Sequence, residues 1–335
     1  MQEHKMVKNR IDWLAVLRGL NILLVVMLHI QLIDMSTGEA NQFCHDVTYL
    51  FNPIRMPLFI FISGGLLYVS RICKRIDTKT LYIDKFKRIM IPFFFFVNVY
   101  YFIKILFSQF VKTPVDYSIQ DYFLSFLYFS GHPSAPLWFL ATLMIFMLLY
   151  PLYCRLCENN LMMIAFFIFT VLFSFVDFDV KSRWNVFSIL DVNHYLVYFF
   201  FGILFFRYKV YDYIDSYLLL IVLLSIYVVS LFMPVKIVSS LIGIVLMCCL
   251  CIKVAKRFPE LFSTYREYIF QIYLMSLPFQ GFIELILWKR LFYNENLFFL
   301  FYLLSVLTGL YVPVLIAKYV ERCPVKFVRL CFGLK

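Results

Sequence analysis

Residues 14–33 read LAVLRGLNILLVVMLHIQLI, twenty positions broken by only a few polar side chains. A helix rises about 1.5 Å per residue and needs about 20 apolar residues to cross hydrocarbon, so this stretch predicts a membrane span. It is too long for a cleaved leader, and no small-residue cleavage site follows it. Working outward, further apolar stretches lie at roughly 48–70, 90–110, 136–154, 161–176, 190–206, 217–233, 236–252, 268–288 and 297–317. With a first span over 12–33 they make ten. The segment 117–130 is aromatic and apolar but short, which suits an interfacial or partly inserted helix.

Composition agrees. The chain has 335 residues, 63% hydrophobic and 15% charged. Average soluble domains are about 45–50% apolar and about 25% charged, so too little polar surface remains here to cover a globular core. The expected fold class is all-α: a polytopic membrane helix bundle of about ten transmembrane helices, forming one domain over 1–335. The net charge of +11 does not point to nucleic acid, because the basic residues lie between apolar spans and not on one soluble face. Of the 31 Lys and Arg, 22 fall on alternate flanks counted from a cytoplasmic N-terminus and 6 on the opposite flanks. That bias predicts both termini in the cytoplasm. The nine cysteines show no paired framework. Cys154 and Cys157 form a C-x-x-C with no second pair or adjacent His, so no metal site is expected.

Ionisable side chains inside spans cost about 2.5–3.5 kcal/mol each on insertion scales, which makes each a functional candidate. Arg18 and His29 share the first span. Eleven helical steps bring them within roughly 20° of one face, about 16 Å apart along the axis. Either Arg18 snorkels to the inner interface and His29 bonds a neighbouring helix, or the two share a polar cavity. Their common face favours the cavity. Arg71 and Arg75, in RICKR (71–75), stand four apart at the inner end of the second span. On a continuing helix they would project together and could grip phosphate, although the positive-inside rule alone would also place them there. Arg55 and Glu284 lie toward outer span ends and rank below His29. Ser63, Gly64 and Gly65 read as small residues for close helix packing. Trp138, Trp184 and Tyr195 near outer loops suit either sugar stacking or the interfacial aromatic belt.

Several segments together resemble the acyltransferase 3 family of membrane acyltransferases, in particular its glycan O-acetylase members. IDWLAVLRGLNILLVVMLHI (11–30) is similar to the family's first helix, with Arg-Gly followed by a His eleven residues after the Arg. RMPLFIFISGGLL (55–67) resembles its second helix, and RICKR its paired-arginine element. FKRIMIPFFFF (86–96) resembles the Arg-x-x-x-Pro start of its third helix, and APLWFLATLM (135–144) its Leu-Trp-Phe-Leu helix start. The likeness runs along nearly the whole chain. One departure stands out. Where the family often has Tyr-Leu-x-His, this chain reads IYLMSLPF (272–279), with Ser276 in the place of the His.

The resemblance implies a catalytic role for His29, with Arg18 accompanying it, and places Arg71 and Arg75 at the acyl donor. Arg10 and Arg88 add to the same basic inner face. The donor would be acetyl-CoA or another short acyl-CoA as co-substrate. The acceptor would be a hydroxyl of a cell-surface or lipid-linked glycan. The setting would be the cell membrane, with polysaccharide-synthesis machinery as a partner. In that chemistry the His acts as general base for O-acetylation, or carries the acyl group transiently. Arg18 would stabilise developing negative charge or position the donor. The competing readings are a flippase or transporter of lipid-linked sugars, and a non-catalytic membrane subunit.

Overall fold

A computed structural model describes residues 2–33, 38–108 and 118–334, with side chains placed from residue 12 onward. The described residues are helical, and their only β-type pairing is an isolated antiparallel bridge between Ile33 and Ala40. The helices are α1 (Gln2–Met27), α2 (Gln42–Leu67), α3 (Thr78–Lys85), α4 (Ile91–Leu106), α5 (Ile119–Leu124), α6 (Trp138–Leu148) and α7 (Tyr150–Leu156). They continue as α8 (Asn160–Phe173), α9 (Val192–Arg207), α10 (Tyr217–Ser230), α11 (Lys236–Arg257), α12 (Ile269–Phe282), α13 (Phe298–Glu321) and α14 (Lys326–Cys331). Wider π-helical turns cover Tyr68–Ile72, Phe86–Met90 and Ile283–Leu291.

Against ten expected spans, six helical stretches among the described residues are long and apolar enough to cross a membrane. A seventh counts if α6 and α7 form one bent span. The differences have physical causes. α8 and α10 are apolar but have 14 residues each. That is about 21 Å of helix against roughly 30 Å of hydrocarbon. The expected span 136–154 bends by 51° at Leu149, where Pro151 enters as the second residue of α7 and cannot donate to a continuous ladder. α1 ends at Met27, not at residue 33, and the backbone of Leu28, Gln31 and Ile33 bonds side chains of other helical segments. Conversely, α12 continues through Pro278. The outer end of the third expected span, with Lys112, lies outside the described residues.

Two compact units divide the chain, residues 1–65 with 202–314 and residues 66–201 with 315–335. In the first unit α1 packs on α11 and α12, and α10 packs on α11. Trp13 stacks on Phe206 at 5.8 Å, and Phe61 meets Phe205 edge-on at 5.1 Å. Gly202 lets two backbones touch. A Cβ there would fall on the Phe61 carbonyl oxygen and 2.9 Å from the Gly65 nitrogen. In the second unit α6 packs on α3 and α7, and α14 on α4. Phe93 meets Phe187 edge-on at 5.4 Å and Phe129 at 6.0 Å. Leu218, Ile221 and Val229 of α10 and Leu300 and Leu303 of α13 are exposed. Such faces match lipid as solvent, and the chain is a multi-pass membrane protein.

Polar caps tie the helix starts. Asp77 accepts from the Thr80 N–H ahead of α3, and Asn159 from Leu161 ahead of α8. Just before α10, Asp215 is held by Lys253 at 3.2 Å and by Lys256, while the Lys253 ammonium lies 3.7 Å from the Tyr217 ring centre. The Lys256 hydrogen bond is the largest influence lowering the Asp215 pKa.

Gly202→Ala should destabilise the protein by about 1–3 kcal/mol, since the intruding methyl meets backbone and not a flexible side chain. A clear fall in the melting midpoint in detergent is expected, and an unchanged midpoint would refute the close contact. The folded Asp215 carboxyl titrates below its unfolded value. Its contribution is therefore present above about pH 4 and fades as the pH falls through the folded pKa. Asp215→Asn should lower stability at pH 7 by at most about 1 kcal/mol, given solvent screening. The gap to wild type should close in acid, and a gap that persists there would assign the effect to packing.

Candidate active site

The end of α1 is the most heavily braced piece of backbone in the first unit. The Leu28 N–H still bonds Leu24, but those of His29 and Ile30 reach back only three residues, to Val26 and Met27, both at 3.3 Å. The turn tightens and frees the last carbonyls of the helix. Side chains then take them up. The Val26 carbonyl accepts from Gln280 Nε2 at 2.8 Å, and that of Ile33 from the Trp288 indole N–H at 2.8 Å. The Leu28 carbonyl faces an Arg55 guanidinium nitrogen at 3.4 Å. The Gln31 N–H donates to Glu284 at 3.2 Å.

His29 sits inside this brace and is half-buried. Its Nδ1 lies 2.6 Å from the Val25 carbonyl oxygen. A carbonyl can only accept, so Nδ1 carries the proton and the neutral ring keeps its lone pair on Nε2. A histidine in that state can take a proton or attack a carbonyl through one defined atom. Near it, Gln280 is 1% exposed, and its Oε1 has no hydrogen-bond partner. Gly309 on α13 makes room for that side chain, since a Cβ there would come within 3.1 Å of Gln280 Cδ.

Arg18 is half-buried two turns from the helix end. The next residue, Gly19, is closely covered by Phe262, and its carbonyl accepts from the Tyr265 hydroxyl at 3.3 Å. Between Arg18 and His29 in the chain stands Asn21, 1% exposed. With its amide turned to suit both partners, it donates to the Arg55 carbonyl at 3.0 Å and accepts from the Phe59 N–H at 3.2 Å. These are the two groups of a single rung of α2. Asn21 and Gln280 were missed from sequence. Their signal is an uncharged polar residue inside an apolar span, which a search for charges passes over.

Of the basic residues expected at the donor, Arg71, Arg75 and Arg88 belong to the second unit and Arg10 to the first. Arg71 is half-buried and pairs with Asp84 at 2.9 Å, so part of its fork is already used. Arg75 does not share a helical face with it, which corrects the expected gripping pair. The helix ends at Ile72, and Arg75 occupies a left-handed turn with φ 50°. That turn lets the Ile76 N–H reach back to the Arg71 carbonyl. Arg88 is exposed on the π-helical turn before α4 and shares an electrostatic cluster with Lys85, Arg71 and Asp84. The side chain of Arg10 lies outside the described residues. Trp138 and Tyr195 line one cavity in the second unit, whereas Trp184 is exposed. Ser276 is buried in α12.

A family model described as an acyltransferase domain, that of the acyltransferase 3 family, matches residues 11–318. No curated protein and no solved structure matches the chain. The match covers essentially the whole chain, from just before the Arg18–His29 face through α13, and it assigns acyl transfer as the type of chemistry. The chain belongs to the acyltransferase 3 family.

Proposed function

We propose that this protein is a membrane O-acyltransferase of the cell membrane, with both termini cytoplasmic and about ten crossings. It transfers a short acyl group, acetyl first among them, from a cytoplasmic acyl-CoA to a hydroxyl of a cell-surface or lipid-linked glycan. The observation that carries this reading is the Nδ1 tether of His29 to its own helix, which leaves Nε2 basic. The family supplies the reaction class.

An alcohol attacks a thioester poorly until a base accepts its proton. Nε2 of His29 takes the proton from the acceptor hydroxyl while that oxygen bonds to the thioester carbonyl carbon. The carbon–sulfur bond then breaks. The departing thiolate collects the proton from the imidazolium, leaving an ester and free coenzyme A thiol. During this cycle the charged imidazolium keeps its Nδ1 proton on the Val25 carbonyl, which stabilises it. Arg18 balances the negative charge that develops on the carbonyl oxygen or orients the donor. Arg71, Arg75, Arg88 and Arg10 are basic groups suited to the phosphates of the donor. Arg71 would do so with the donors that Asp84 leaves open.

The test is transfer of labelled acetyl from acetyl-CoA to isolated lipid-linked glycan by the purified protein in nanodiscs. Wild type should transfer label. His29→Ala should lower the rate by about 100-fold or more, in line with the contribution of a general base, without changing the melting midpoint by more than a few degrees. Full activity in that variant would remove the mechanism. Transport of glycan without labelling would remove the enzyme.

A further inference from the structure

A concave site lies wholly inside the second unit, with a volume of about 740 Å³. Part of its lining is aromatic. Trp138, at the start of α6, and Tyr195, in α9, hold their rings 5.1 Å apart at 37°. Another part is polar and is supplied by an unusual turn. Phe187 and Ser188 are consecutive non-glycine residues in left-handed backbone, with φ of 55° and 57°. Such conformations cost about 1–3 kcal/mol each and persist where the surroundings impose them. Here Phe187 is pinned by its N–H on the Leu127 carbonyl at 2.7 Å and by the rings of Phe93 and Phe129. The turn brings Ser188 and Asp191 to the cavity. Asn185 fixes Asp191, donating from Nδ2 to its Oδ2 at 3.0 Å and accepting from the Leu190 N–H at 2.9 Å. His132, also lining the cavity, lies 3.1 Å from Asp121. Lys181 and Arg183 line it too.

We propose that this cavity binds one sugar ring that carries an anionic group. A pyranose has an apolar face of C–H bonds and an edge of hydroxyls. A lining that combines an aromatic pair with a carboxylate, an amide and an imidazole serves both. The two cations suit a phosphate or carboxylate on the same ligand. The preformed turn means that little backbone need be ordered on binding, which favours affinity. The inference goes beyond the acyl-transfer reading, because sugar binding here requires no donor. If both hold, the cavity is a subsite for the acceptor.

The test is saturation-transfer NMR on the full chain in nanodiscs with four probes: glucose, N-acetylglucosamine, glucuronate and glucose 1-phosphate. Transfer to the two anionic sugars is expected, with weaker or no transfer to the neutral pair. Trp138→Ala should weaken binding at least tenfold, and so should the milder Asp191→Asn, which preserves shape if the tryptophan variant folds poorly. Lys181→Ala combined with Arg183→Ala should abolish the preference for the anionic sugars. No transfer to any of the four probes overturns the proposal, as does equal binding by wild type and Asp191→Asn. Since the assay contains no acyl-CoA, its outcome is independent of whether acyl transfer occurs.

Discussion

Hydrocarbon offers no partner to a peptide carbonyl, so a helix that stops short of the far interface must have its last acceptors satisfied by protein. α1 stops at Met27, and the carbonyls of Val25, Val26, Leu28 and Ile33 meet His29, Gln280, Arg55 and Trp288 in turn. The polar side chains inside these apolar spans therefore answer one requirement. Arg55, Gln280 and Trp288 close off backbone that would otherwise be exposed to an apolar medium. Once they are gathered there, a polar niche exists within the bundle, and His29 occupies it. The contacts that satisfy the backbone also set the surroundings of His29.

Small residues set the spacing that makes those contacts possible. Gly309 admits the bulk of Gln280 beside Val26, and Gly202 admits the backbone of α2 at Phe61. The wide turns at 283–291 and 86–90 belong to the same theme. The first carries Glu284 and Trp288 to the end of α1, and the second carries Arg88. A π-helical turn inserts one extra residue per turn and re-aims side chains relative to a regular helix.

Much of this was legible in the sequence. Composition and the length of apolar runs specify helices in lipid, and ionisable residues within the first apolar run single out Arg18 and His29 as candidates, although the helix ends two residues before His29. What hydropathy could not supply was where a run of apolar residues ceases to be helical. Residues 28–33 remain largely apolar, yet they leave the helix and distant side chains bond part of their backbone. α8 and α10 are shorter still than the expected stretches 161–176 and 217–233, since each helix stops at its C-terminal end while apolar residues continue. The separation of Arg75 from Arg71 rests on a left-handed turn at an arginine, a conformation no propensity would assign there. Asp84 lies thirteen residues from Arg71, beyond the reach of any local spacing rule.

The contact that sets the proton on His29 runs only four residues back along its own chain. Tautomer choice is thus a local property of the segment 25–29 and owes nothing to the neighbouring helices. A shift of α2 or α12 would therefore leave this tether in place while moving the Arg55 guanidinium that lies against the Leu28 carbonyl.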